Sequence, residues 1–309
     1  MSGPRGTGGI LLPLERRGHT PPQDLVERRA QLAAGVTAGQ WRTEPMPHDT
    51  FVGGAGGPIG GRALVRALRF RPPGRIRGRV LHFHGGAFRL GCPDMEGPFA
   101  AALAARCDVE VAMPSYRLAP EHPFPSGLAD AMTALLTMAR EGGVGQHRVP
   151  LILSGSSAGA GLAAALAVLA AQEHIPVDGL VLLSPFLDLT LSGQSYHYNA
   201  GTDQLFSLES AMNAAQLYLQ GSDPTHPLAS PLYAPLYGLP PTLISVGSGE
   251  VLADDARRFC QQLMGYGVPA ALSEVPGMEH VAVVRSPHLT GSAETFAAVA
   301  SMVDDLTRP

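Results

Sequence analysis

The pentapeptide Gly155-Ser156-Ser157-Ala158-Gly159 is the part of this chain best suited to do chemistry. It closes an apolar run, residues 149–153, and an Ala/Leu-rich segment follows at once. Apolar run, tight turn and helical segment, in that order, lift the central Ser157 clear of the end of a sheet. Glycine on both sides removes the side chains that would collide in so sharp a turn. In a chain with 37 glycines the bare Gly-x-Ser-x-Gly pattern is weak, and a glycine-rich loop with an idle serine is the bland alternative. Context has to decide.

A serine hydroxyl attacks a carbonyl only when a base takes its proton and donors hold the developing oxyanion. The chain should therefore carry an acid and then a histidine after Ser157, together with an N–H-rich loop. His280, in Pro276-Gly277-Met278-Glu279-His280, follows the last expected strand. Glu250 sits in the turn just past the strand at 242–246. Asp254 and Asp255 are the competing acids, but they fall in the first turn of the next helix, where negative charge complements the dipole. The loop is His84-Gly85-Gly86-Ala87, directly after the strand at 79–83. Gly85 and Gly86 can turn backbone N–H groups toward a substrate oxygen, and Ala158, next after the nucleophile, supplies the further donor. His82 and His84 could be read as a metal pair, but no partner stands at ligand spacing, so neither metal nor cofactor is expected.

These residues need a scaffold that brings strand ends together. Strands at 79–83, 109–113, 151–154, 179–183, 242–246 and 271–275 alternate with helices at 98–106, 126–140, 158–172, 253–264 and 292–306. The alternation predicts an α/β fold, a mostly parallel central sheet with helices on both faces. Residues 51–309 form this catalytic domain, with a further strand at 63–70. Residues 1–50 read as an N-terminal helical cap segment, glycine-rich at its start, with a helix opening at Thr20-Pro21-Pro22. The stretch from Ser184 to Thr242 is too long for a plain connection, so a cap insertion is placed at about 190–224, with a helix at 207–219.

Bulk properties agree with an enzyme of this kind. The 309 residues are 45% hydrophobic and only 16% charged, enough for a large core and far from the composition of disorder. A net charge of −4 with no long basic block argues against nucleic acid as a partner. No apolar run reaches membrane-spanning length, and Ile10-Leu11-Leu12, broken by Pro13, is too short for a signal peptide. Cys92, Cys107 and Cys260 lie at unrelated spacings, which suits a reducing, cytoplasmic setting with at most one bridge. The closing helix offers a surface for a homodimer.

The motifs resemble those of the hormone-sensitive-lipase family of α/β-hydrolases, in its bacterial esterase branch. The carriers are His84-Gly85-Gly86-Ala87-Phe88, Tyr116-Arg117-Leu118-Ala119-Pro120-Glu121 and Gly155-Ser156-Ser157-Ala158-Gly159. Ser184-Pro185-Phe186-Leu187-Asp188 and His226-Pro227-Leu228-Ala229-Ser230-Pro231 extend the likeness, which runs from His82 to His280. The resemblance implies an α/β-hydrolase fold with a helical cap and a serine carboxylic-ester hydrolase of short-chain esters or lactones. It implies an acyl-enzyme route with Ser157, Glu250 and His280 as the triad and Gly85, Gly86 and Ala158 as the oxyanion hole. Asp is commoner in the family where Glu250 stands. Two residues depart from the pattern: Ala87 replaces a third glycine of the oxyanion loop, and Ser156 replaces an aspartate before the nucleophile. The same residues would also serve an acyltransferase or a cyclisation enzyme that excludes water. A non-catalytic small-molecule binder on this fold usually lacks a triad member, and all three are present.

Overall fold

The computed structural model describes residues 10, 13–44, 46–53, 64–143 and 148–308. The glycine-rich start at 1–9, and Ala63 at the head of one expected strand, lie outside the described residues.

Among the described residues eight strands form one sheet: β1 (His48–Gly53), β2 (Leu64–Phe70), β3 (Gly78–Phe83), β4 (Val109–Pro114), β5 (Leu151–Ser156), β6 (Gly179–Leu183), β7 (Thr242–Gly247) and β8 (Ala270–Val275). Their spatial order is β1-β2-β4-β3-β5-β6-β7-β8, antiparallel at β1–β2 and β2–β4 and parallel from β4 to β8. The helices are α1 (Gln23–Thr37), α2 (Gly97–Cys107), α3 (Ser126–Glu141), α4 (Ala158–Gln172), α5 (Ser195–Tyr198), α6 (Leu208–Leu219), α7 (Ala253–Gly265), α8 (Ala282–Arg285) and α9 (Ser292–Leu306). The sequence pattern places short strands from Phe51 onward, and β1 begins three residues earlier, at His48. Its face is mostly exposed, so the alternation that marks a strand is faint there.

The inner strands β3 to β7 are buried throughout and mostly apolar because helices cover both faces of a parallel sheet. Along β5, Leu151 and Leu153 join the core under α3, α4 and α7, whereas Ile152 joins the core under α2, α8 and α9. Helix α4 is buried on all sides from Ala158 to Ala170, and its run of alanine and glycine lets it lie close against the sheet. Among the described residues no helix is long and apolar enough to cross a membrane.

Strand order places the chemistry. Strands β3 and β5 are parallel neighbours, with His82 opposite Ser154 and Phe83 opposite Gly155, so the loops after them emerge side by side. Strands β7 and β8 are also parallel neighbours, and the turns holding Glu250 and His280 leave the same edge.

Candidate active site

The elbow between β5 and α4 is sterically forced. A Cβ on Gly155 would lie 2.3 Å from the carbonyl oxygen of Gly159, and one on Gly159 would lie 2.1 Å from that of Phe83. Ser157 itself takes φ 52° and ψ −119°, a conformation that disfavours any side chain larger than hydrogen and marks a functional site. The rest of the fold holds it there: the Ser157 N–H donates to Leu183 O at 2.8 Å.

Ser157, His280 and Glu250 meet. The Ser157 hydroxyl lies 3.0 Å from His280 Nε2, and His280 Nδ1 lies 2.6 Å from Glu250 Oε2. The other carboxylate oxygen of Glu250 accepts from the Gly247 N–H at 2.5 Å and the Ser184 hydroxyl at 2.8 Å. Ser184 in turn accepts from the Val281 N–H at 3.1 Å, so the histidine loop and the acid share one anchor. The Phe206 ring stacks on the His280 imidazole with centroids 5.6 Å apart and planes 11° apart. Burial pulls the His280 pKa down, but the bond to Glu250 and its charge outweigh burial and leave it above the ordinary value.

Asp254 and Asp255, the competing acids, are occupied elsewhere. Asp254 accepts from the Ser195 N–H at 2.9 Å and the Tyr198 hydroxyl at 2.8 Å. Asp255 is buried and accepts from the N–H groups of Leu187 and Asp188 at 2.8 and 3.0 Å. Both acids fasten the segment after β6, and neither contacts His280.

The oxyanion loop needs one correction. Gly85 lies beside the elbow, but its N–H donates to Glu96 Oε1 at 2.8 Å and so is not free for a substrate oxygen. The amides of Gly86, Ala87 and Ala158 form no hydrogen bond among the described residues. Gly86, at φ 121°, could not carry a side chain, since a Cβ would meet Leu90 O at 2.1 Å. Ala87 takes φ 54° and keeps its N–H, so the extra methyl group is accommodated at the cost of a left-handed backbone. His84 donates from Nδ1 to Gly85 O at 2.7 Å and stacks on Tyr116, whose hydroxyl donates to His84 O at 2.8 Å. Burial lowers the His84 pKa, so its ring stays neutral and serves as a brace. His82 binds Ser154 and Glu96, and no metal-ligating cluster exists among the described residues.

Ser157 and His280 open onto a cavity of about 670 Å³. Its floor is Ser157, His280 and the oxyanion loop, and its cover includes Gln31 and Trp41 from the N-terminal segment and Leu205 and Phe206 from the segment after β6.

A family model described as the alpha/beta hydrolase fold matches residues 80–284. An acetyl-hydrolase of Streptomyces hygroscopicus is 40% identical over 68% of this chain and 70% of its own length. An esterase of Acinetobacter venetianus is 41% identical over 64% of this chain and 65% of its own. The solved structure of an esterase from the bacterial hormone-sensitive lipase family superposes with a TM-score of 0.81 at 31% identity, covering 94% of each chain. The chain belongs to the hormone-sensitive-lipase family of α/β-hydrolases.

Two parts of this hydrolase's site escaped the sequence reading. One is Glu96, in a 3-10 turn at Pro93–Glu96, buried and bonded at once to His82 (2.7 Å), Gly85 (2.8 Å) and the Ser156 hydroxyl (2.6 Å). Burial alone would raise its pKa, but the bonds from His82, Gly85 and Ser156 hold it below the ordinary carboxylate value. The other is the anchor of α1, a helix the sequence assigned to the cap without naming the side chain that docks it. Its Arg29 donates to Ala119 O at 2.6 Å and to Arg89 O at 2.9 Å and pairs with Glu121 at 2.5 Å. Glu121 belongs to the Tyr-Arg-Leu-Ala-Pro-Glu block, so the motif itself was a signal that something docks there.

Proposed function

We propose that this hydrolase is a serine carboxylesterase that cleaves short-chain esters or lactones through an acyl-enzyme on Ser157. Ester hydrolysis is the activity of its family and relatives, and the chain is an ester hydrolase. The observation that carries the residue assignment is the relay from Ser157 Oγ to His280 Nε2 (3.0 Å) and from His280 Nδ1 to Glu250 (2.6 Å).

In this reading Ser157 Oγ attacks the ester carbonyl while His280 Nε2 takes its proton. Glu250 keeps the Nδ1–H tautomer and stabilises the imidazolium. The oxyanion is received by the N–H groups of Ala158, Gly86 and Ala87, with Gly85 serving instead to pin the loop to Glu96. Collapse expels the alkoxide, which takes the proton back from Nε2, and water repeats the sequence to release the acid. The cap of this proposal is the N-terminal segment together with the insertion after β6. A cavity of this size under that cover supports a compact acyl group.

A cytoplasmic setting and pairing of two copies through α9 also belong to the proposal. The first is supported by Cys92, Cys107 and Cys260 all being free thiols. The second is supported by the exposed outer side of α9, and sedimentation velocity measures it.

The deciding experiment is turnover of 4-nitrophenyl butyrate by Ser157→Ala. Loss of turnover with an unchanged circular dichroism spectrum is expected; retained activity overturns the assignment.

A further inference from the structure

Arg89 is the least expected side chain in the cavity wall. It follows the oxyanion loop, with its N–H donating to Gly86 O at 3.1 Å, and is only 8% exposed. Its guanidinium finds neutral partners alone: Asn213 Oδ1 and, at 3.0 Å, the Ser210 hydroxyl, both on α6. Its Nε–H is buried with no partner. Buried charges in proteins are normally paired with an opposite charge, because taking an ion out of water costs several kcal/mol.

No protein carboxylate does that work here. Arg28, on α1, lines the same cavity and lies close enough to Arg89 to repel it. Burial lowers the Arg89 pKa and Arg28 lowers it further, while Asp24, one turn before Arg28, offsets part of the effect. Among the described residues neither guanidinium has a carboxylate within ion-pair distance. The other charged groups of the wall are already engaged. Arg285 pairs with Glu279 at 2.7 Å, and Glu96 is spent on His82, Gly85 and Ser156. The cavity wall therefore carries two guanidinium groups, Arg89 buried and Arg28 exposed, and neither pairs with a carboxylate among the described residues.

We propose that the cavity binds esters that carry a second, anionic group, a carboxylate, which Arg89 and Arg28 receive between the oxyanion loop and the cap. A carboxylate suits a wall to which two guanidinium groups contribute and in which no protein carboxylate pairs with either. The proposal deepens the hydrolase reading and rests on it for the position of the scissile bond.

The test uses two near-isosteric pairs, so that the anion can lie on either side of the ester. Monoethyl glutarate is compared with ethyl pentanoate, and 4-acetoxybutanoate with butyl acetate, each followed by pH-stat. In at least one pair the anionic member should show a kcat/KM roughly tenfold above its neutral partner. Arg89→Gln should erase that ratio, and Arg28→Gln should cut it roughly threefold. Arg28 lies on an exposed helix face, so its variant keeps the test open if Arg89→Gln fails to fold. A neutral preference in both pairs, or a ratio that neither substitution moves, overturns the proposal. If no ester in either pair is cleaved, turnover of 4-nitrophenyl butyrate judges the hydrolase reading and calorimetry decides the subsite alone. Saturable glutarate binding to Ser157→Ala that Arg28→Gln weakens supports it, and absence of binding overturns it.

Discussion

Glu250 and Asp254 are near neighbours in sequence and both carboxylates, yet only Glu250 touches the histidine. Glu250→Gln should lower kcat by roughly three to four orders of magnitude, because the amide stabilises the wrong imidazole tautomer and no longer balances the imidazolium. Asp254→Asn should keep kcat within a few-fold of the parent, since that side chain ties Ser195 and Tyr198 to α7 and pairs with Arg257 at 2.9 Å, away from His280. Steady-state kinetics on a neutral ester separates the two. The same pair of groups sets the pH response. The proposed mechanism needs His280 unprotonated, and Glu250 raises its pKa against the opposing pull of burial. The acidic limb of kcat/KM should therefore fall above the ordinary histidine value of about 6.5. In Glu250→Gln the raising influence is gone and burial remains, so that limb should shift to lower pH. A limb that stays in place would show that another group titrates.

At the scale of elements, two close approaches hold the site. The first is α4 against β3, where a Cβ on Gly159 would sit 2.1 Å from Phe83 O. Gly159→Ala must push the helix away, so a loss of about 3 kcal/mol or more is expected, with activity lost in the fraction that still folds. Chemical denaturation measures it. The second is the 3-10 turn carrying Glu96, which joins β3, β5, the oxyanion loop and the elbow. Glu96→Ala leaves His82, the Gly85 N–H and the Ser156 hydroxyl without their partner, a loss of about 2–4 kcal/mol. If its role is to position the loop, kcat should drop at least roughly tenfold with KM little changed, as for a lost transition-state donor. Glu96→Gln keeps an acceptor for Gly85 and should recover most of kcat; failure to recover would reduce Glu96 to a structural ion. Since its folded pKa is depressed, the stability it contributes is present above about pH 4.5 and is lost as pH falls through the folded value.

Over the whole molecule, the cavity is closed by pieces far apart in sequence, and α1 is fastened by few contacts. Leu25 is its single buried side chain, so polar ties, Arg29 above all, fix it to the oxyanion loop and to Glu121. Arg117 adds a second clamp, gripping Asp130 with Nε and Nη2 and Glu15 with Nη1 and Nη2. Arg29→Ala should leave the sheet and the triad intact while loosening the cover. The expected signature is a KM several-fold higher with a small change in kcat, and an unaltered far-ultraviolet spectrum. A kcat loss of a hundredfold or more would mean that α1 takes part in the chemistry rather than in enclosing the substrate.

The elbow, the order Ser157, Glu250, His280, the inner strands and the helices of the domain were legible in the residues themselves. Each is a local matter: glycines at fixed offsets where a side chain would clash, apolar runs where strands are buried on both faces, and turns just past strand ends. The choice of Glu250 over Asp254 and Asp255 was also legible, because position relative to a strand end separates a free turn carboxylate from a helix-start one. What the sequence could not supply were contacts set by strand order. Gly85 and Gly86 look equivalent in His84-Gly85-Gly86-Ala87, but only the tertiary structure brings Glu96 under one of them and so takes up its N–H. Arg89 reads as an ordinary loop arginine until α6 and α1 fold over it and leave its charge buried in the wall of the cavity that Ser157 also lines. Pairing β3 with β5 and β7 with β8 decides which loops face one another, and that is a property of the closed sheet rather than of any segment within it.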